Sequence, residues 1–178
     1  AISISQHTCA IGLNLGNVKC WGFNFVGQLG NGNTNNTNFP EEVIGLTLPI
    51  RSVKVGGGHT CVLNSQGGVQ CWGGNSFGQL GNSSFADSAI PKDVQGLNRG
   101  VVAIAAGAYH TCALTELGGL KCWGWNGYGQ LGNGTRIDSN IPIAVSNLNT
   151  KISSVSAGFD HTCAVDINGT TKCWGRNE

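Results

Sequence analysis

A chain of 178 residues is long enough to hold one domain with a real core. Only 11% of its residues are charged and the formal net charge is +1, so it lacks the basic footprint that nucleic-acid binding needs. No stretch is long and apolar enough to cross a membrane as a helix, and eight cysteines among mostly Asn, Ser, Thr and Gly polar residues suit an oxidising, extracellular setting.

The first unit is expected over residues 1–49. It carries His7-Thr8-Cys9, a turn, then Cys20-Trp21-Gly22, and a closing loop at Gly27-Gln28-Leu29-Gly30-Asn31-Gly32. A polar loop follows and ends at Pro40, which limits the residue before it to extended shapes. The second unit, 50–99, opens with Ile50 to Val55, a strand with Val53 and Val55 on one face, then Gly56-Gly57-Gly58 and His59-Thr60-Cys61. Its return strand is Cys71-Trp72-Gly73 and its closing loop Gly78-Gln79-Leu80-Gly81-Asn82. The third unit, 100–149, shows the pattern most fully. Val101 to Ala106 is a buried strand, His110 to Leu114 a second, Gly118-Gly119 a turn, and Leu120 to Gly124 the return, before the loop Gly129 to Gly134. The fourth, 150–178, repeats His161-Thr162-Cys163 and Cys173-Trp174-Gly175 and stops where its closing loop would begin.

Successive histidines lie 51 or 52 residues apart, a period that marks an array of identical supersecondary units. No amphipathic helix longer than about a turn is evident, and strand, hairpin, strand and Gly-rich loop in repetition predict all-β propeller blades of about four strands. The small residues at Gly56-Gly57-Gly58, Ala105-Ala106-Gly107 and Ser156-Ala157-Gly158 are expected near a central channel. A phosphate loop is a poor reading of them, because no helix follows.

The His-Thr pair, the Trp-Gly pair and the Gly-Gln-Leu-Gly loop at this spacing resemble the regulator of chromosome condensation repeat. The resemblance covers nearly the whole chain and implies a seven-bladed β-propeller, of which residues 1–178 would form a part, about three and a half repeats. Such a part suggests a piece of a longer chain, or a subunit completed by self-association; a start at Ala1 and the absence of Met fit a processed or truncated product. Two departures stand out: cysteine follows His-Thr where the family usually has an aliphatic residue, and a second cysteine precedes Trp-Gly.

Those cysteines are expected to pair. With the third hairpin centred on Leu117, Cys112 falls opposite Cys122, and cross-strand Cα atoms about 4.5–5.5 Å apart are within reach of a disulfide. Cys61–Cys71 and Cys163–Cys173 share the spacing, and Cys9–Cys20 has one extra residue to absorb in its turn. A zinc site would need four ligands, whereas each unit offers one His and two Cys, so no metal and no cofactor are expected. The recurring histidines are read as structural, bonding the backbone of a blade turn, the tryptophans as packing between blades, and Gln28, Gln79 and Gln130 as bonding neighbouring loops.

Function is better sought where the units differ. After Trp-Gly stand Phe23, Gly74, Trp125 and Arg176; Phe23, Trp125, Arg176 and, from the loop, Arg136 are the binding candidates, with Phe25, Phe77 and Tyr128 behind them. The competing reading has Trp125 and Phe23 merely packing on the adjacent blade. Four sequons place candidate glycans at Asn35, Asn82, Asn133 and Asn168, all in predicted loops or turns. The composite expectation is a secreted or cell-surface scaffold that binds a protein or glycan partner through propeller loops, without catalysis. An extracellular structural assembly is the alternative. The resemblance also implies guanine-nucleotide exchange at chromatin, which disulfides and near-neutral charge disfavour.

Overall fold

The computed structural model describes residues 2–12 and 16–178. These fold into four antiparallel sheets taken in chain order: β1 (Ile2–Ile4), β2 (His7–Ile11), β3 (Val18–Gly22) and β4 (Thr37–Glu42); β5 (Ile50–Val55), β6 (His59–Asn64), β7 (Val69–Gly73) and β8 (Ser88–Asp93); β9 (Val101–Ala106), β10 (His110–Thr115), β11 (Leu120–Gly124) and β12 (Ser139–Ala144); and β13 (Ile152–Ala157), β14 (His161–Asp166) and β15 (Thr171–Gly175). Each strand pairs with its sequence neighbour, so every sheet is a simple meander, and no helix occurs among the described residues. The protein is a row of propeller blades.

Burial follows the order of strands within a blade. β6 is buried along its length, because a neighbouring blade covers each of its faces, and its sequence accordingly shows no polar alternation. β5 alternates, with Val53 and Val55 inside and Arg51 and Lys54 outside. The outer strands β4, β8 and β12 are mostly half-buried or exposed, and carry Pro40, Pro91 and Pro142. Proline lacks the amide that a further strand would need, so these edges are protected from pairing.

The core lies between blades rather than within them. Cys9, Cys20 and Leu29 of the first blade form one buried cluster with Val53, Val62 and Trp72 of the second. Cys61, Cys71 and Leu80 meet Ile104 and Trp123 in the same way one blade on. Each seam therefore sets one blade's disulfide and loop leucine against the next blade's tryptophan. A fully buried large apolar side chain contributes roughly 1.5–3 kcal/mol, so each tryptophan is a major seam contact. Gly81 shows how closely the loop approaches: at φ 66°, an added Cβ would sit 2.7 Å from Trp123 Nε1.

All four cysteine pairs are bridged as expected: Cys9–Cys20, Cys61–Cys71, Cys112–Cys122 and Cys163–Cys173. In each, the Cα atoms are 4.1 Å apart, tighter than the ~4.5 Å of the narrower unbridged cross-strand pair. In the first hairpin Ile11 faces Val18, whereas in the third Leu114 faces Leu120, so the extra residue does lie in the turn. Part of that turn is outside the described residues.

Two sequence expectations need correction at the seams. The histidines are structural, but they bond a side chain of the next blade and not a turn backbone: His7 Nε2 to Thr60 Oγ1 at 2.6 Å, His59 to Thr111 at 2.9 Å, and His110 to Thr162 at 2.9 Å. Each threonine hydroxyl in turn donates to the carbonyl of Gln28, Gln79 or Gln130. Since that proton is committed, the imidazole must supply the other one, which fixes the Nε2–H tautomer. The glutamine side chains likewise turn inward. Gln28 Oε1 accepts from Val26 N of its own loop, and the link to the neighbour runs through the glutamine carbonyl, which also accepts Trp72 Nε1 at 2.9 Å.

Candidate functional site

β1–β2 turns and the segments after β3 emerge at the same end of each blade, because antiparallel meandering brings the end of β1, the start of β2 and the end of β3 together. Three positions there change from unit to unit. Two precede the histidine and one follows Trp-Gly. In chain order they read Ser5, Gln6 and Phe23; Gly57, Gly58 and Gly74; Ala108, Tyr109 and Trp125; Phe159, Asp160 and Arg176.

The structure joins most of the large residues among them into one aromatic ridge. Tyr109 lies 5.3 Å from Phe77, 6.2 Å from Trp125 and 6.3 Å from Phe159 between ring centroids, and Trp125 lies 5.4 Å from Tyr128. Arg176 extends the ridge, its guanidinium 5.2 Å from the Tyr128 ring centroid. It also pairs with Glu178 at 2.7 Å and with buried Asp160 at 3.5 Å, and the hydrogen bond and charge of Glu178 lead in raising its pKa. Phe23 and Phe25 form a separate edge-to-face pair, centroids 5.1 Å apart.

Between the pair and the ridge runs a trough of 410 Å³, with Phe23 and Phe25 on one side and Phe77, Tyr109 and Phe159 on the other. Its floor exists because the second blade has glycine at all three variable positions, Gly57, Gly58 and Gly74. The walls are open to solvent: Phe25 is 67% and Phe159 68% exposed. No Lys, Arg, Asp or Glu lines the trough.

Of the candidates named from sequence, Phe23, Trp125 and Arg176 fall on this face and Arg136 does not; it is exposed on the loop before β12 and joins none of the ring contacts. Trp125 packs chiefly on neighbouring rings and stays half-buried, so it is neither a seam residue nor fully free. Tyr109 and Phe159 were missed. The signal that finds them is the same one, variation between units, applied to the positions before His-Thr. The sequons divide as well. Asn35 and Asn168 are exposed, while Asn82 and Asn133 are half-buried and accept loop hydrogen bonds through Oδ1.

A bladed all-β array with an uncharged aromatic trough, three of whose four recurring histidines are held in structural bonds, defines a repeat architecture. The profile of the regulator of chromosome condensation (RCC1) repeat matches residues 16–63, 66–114 and 118–165, and the chain belongs to that family. It is 33% identical over 176 residues to the ultraviolet-B receptor UVR8 of Arabidopsis thaliana, covering 97% of this chain and 40% of UVR8. Against human "Probable E3 ubiquitin-protein ligase HERC4" it is 36% identical over 151 residues, 83% of this chain and 14% of that protein. The chain thus spans less than half the length of these relatives. Yeast RCC1 (Prp20), solved bound to Kap60, superposes with a TM-score of 0.84 at 26% identity, over 98% of this chain and 43% of that one. Human WBSCR16 shares the fold, with a TM-score of 0.86 at 22% identity over 96% of this chain and 45% of that one.

Proposed function

We propose that this chain is a non-catalytic interaction scaffold of the cell exterior, which holds a protein partner on the aromatic trough. The observation that carries the reading is the trough itself: an uncharged concavity edged by the exposed rings of Phe23, Phe25, Tyr109 and Phe159, with the half-buried Trp125 packed behind Tyr109, and aromatic side chains are enriched as anchors of protein interfaces. The RCC1-repeat protein bound to Kap60 supports a protein partner over a glycan. Four buttressing disulfides, sparse charge and exposed sequon asparagines at Asn35 and Asn168 favour the exterior. The alternative of an extracellular filament is less well supported, because prolines on β4, β8 and β12 block further pairing along three of the four outer edges, leaving only β15 of the fourth sheet without one.

The test compares the oxidised protein with Trp125→Ala and Arg176→Ala as bait in an extracellular extract. A partner retained by the parent and released by both variants is the expected outcome, at a thermal midpoint unchanged for Trp125→Ala but lowered for Arg176→Ala, which leaves buried Asp160 without its cation. Equal capture by all three removes the aromatic face from the binding function. Thiol titration of the denatured, unreduced protein addresses location: no reactive thiol is expected, and eight would return the chain to a reducing compartment.

A further inference from the structure

The trough's chemistry narrows its occupant. We propose that it receives an uncharged, proline-rich segment in the polyproline II conformation; the inference rests on the trough being the partner-binding face. Three observations converge. First, the fourteen residues that line the trough include no formally charged side chain, so nothing there would offset a charged ligand's desolvation. Second, the rings do not form a flat platform. The paired rings that line the trough stand at 60° to 85° to one another, offering ridges and clefts in place of the open faces on which a sugar or a base would lie flat. A polyproline II helix is itself ridged, three residues to a turn, and docks in aromatic-lined grooves of this kind.

Third, the ridge carries hydrogen-bond donors without acceptors. Trp72, Trp123 and Trp174 each give Nε1 to a glutamine carbonyl, whereas the Trp125 indole lies over Gly127 and its Nε1 has no acceptor among the described residues. The hydroxyl of Tyr109, whose ring lines the trough, likewise has no acceptor among the described residues, whereas Trp125 and Tyr128, their ring centroids 5.4 Å apart, stand behind it on the ridge and outside the trough lining. A polyproline II backbone makes no internal hydrogen bonds, so its carbonyls are free to accept from Tyr109, the one of these donors on the trough wall. The occupant would lie over Gly57, Gly58 and Gly74, whose missing side chains make the room, with its carbonyls toward the Tyr109 side.

Gly58 provides a clean probe. Its φ is not in the left-handed region, and an added Cβ meets only Val26 Cγ2, at 3.6 Å, an ordinary contact. Gly58→Tyr installs what the third blade carries at the equivalent position, on a backbone that accepts its Cβ, and sets a ring over the trough floor. The experiment is calorimetric titration of the intact, oxidised chain with a capped oligoproline, against a capped Gly/Ser peptide of equal length and a neutral oligosaccharide. Oligoproline alone should bind. Gly58→Tyr should weaken it at least about tenfold at an unchanged thermal midpoint, and Tyr109→Phe, which keeps the ring and removes the donor, by about fivefold, the worth of one hydrogen bond. Binding of the oligosaccharide in place of oligoproline overturns the proposal, as does oligoproline binding unaffected by Gly58→Tyr. If Trp125→Ala abolishes partner capture while oligoproline fails to bind, the peptide class is wrong and the interaction face stands. If neither capture nor oligoproline binding responds to Trp125→Ala, both fall.

Discussion

His59 illustrates how much a single side chain settles here. It is fully buried, it donates from Nε2 to Thr111 in the next blade, and its Nδ1 faces no donor. A proton on Nδ1 would have no acceptor, and burial holds the pKa at about 3, with the neighbouring imidazoles of His110 and His7 adding to the depression. His7 and His110 are likewise lowered by burial, to about 4. Because the unfolded chain takes up these protons near pH 6.5 and the native chain does not, stability is complete above pH 6.5 and falls as pH drops toward 4. The slope should be about 1.4 kcal/mol per pH unit for each such histidine, measurable by denaturant titration across that window. Thr111→Val keeps the shape but strands the His59 donor, and should cost about 1–3 kcal/mol in the same assay. The His-Thr pair could be read from sequence as structural, but its bonding could not: the two partners come from different copies of the motif.

At the scale of the hairpin, sequence spacing was enough to pair the cysteines, because a two-residue side-chain period and a symmetric turn leave little freedom in register. Removing one staple with Cys61→Ala plus Cys71→Ala should lower stability by about 2–3 kcal/mol in the chain-entropy treatment, and seam packing would add to that because both sulfurs are fully buried. A flat melting temperature would mean that the bridge constrains nothing the strands do not. The closing loops were legible only in part. Gly-Gln-Leu-Gly stood out, whereas Asn24, Asn75 and Asn126, always two residues after Trp-Gly, did not. Yet Asn75 organises its loop, accepting from Leu80 N at 2.9 Å and donating to the carbonyls of Ser84 and Ala86. An asparagine in an Asn-rich chain carries little signal until one asks which copies keep the same offset.

Across the whole molecule, the period of the repeats foretold blades, but it could not foretell that the hydrophobic core is divided into layers between them. Each layer draws one half from each neighbour, so stability should be transmitted along the row by nearest-neighbour terms, as in other repeat arrays. The proposed binding face was the least legible level. Variation after Trp-Gly pointed to the end of the blades where the trough lies, but the trough depends on glycines in one unit being flanked by rings from the units on either side, a relation that appears only when the row is assembled.

The seams, finally, give the protein a built-in optical gauge. Trp72 shares its buried cluster with the Cys9–Cys20 bridge, and Trp123 with Cys61–Cys71. Excited indole loses its energy readily by electron transfer to a nearby disulfide, so the native state should be dim and emission should brighten as blades part, even where the strands themselves persist. Comparing that emission with far-ultraviolet dichroism during unfolding would separate loss of docking from loss of sheet. Coincident transitions would show that a blade does not outlive its neighbour.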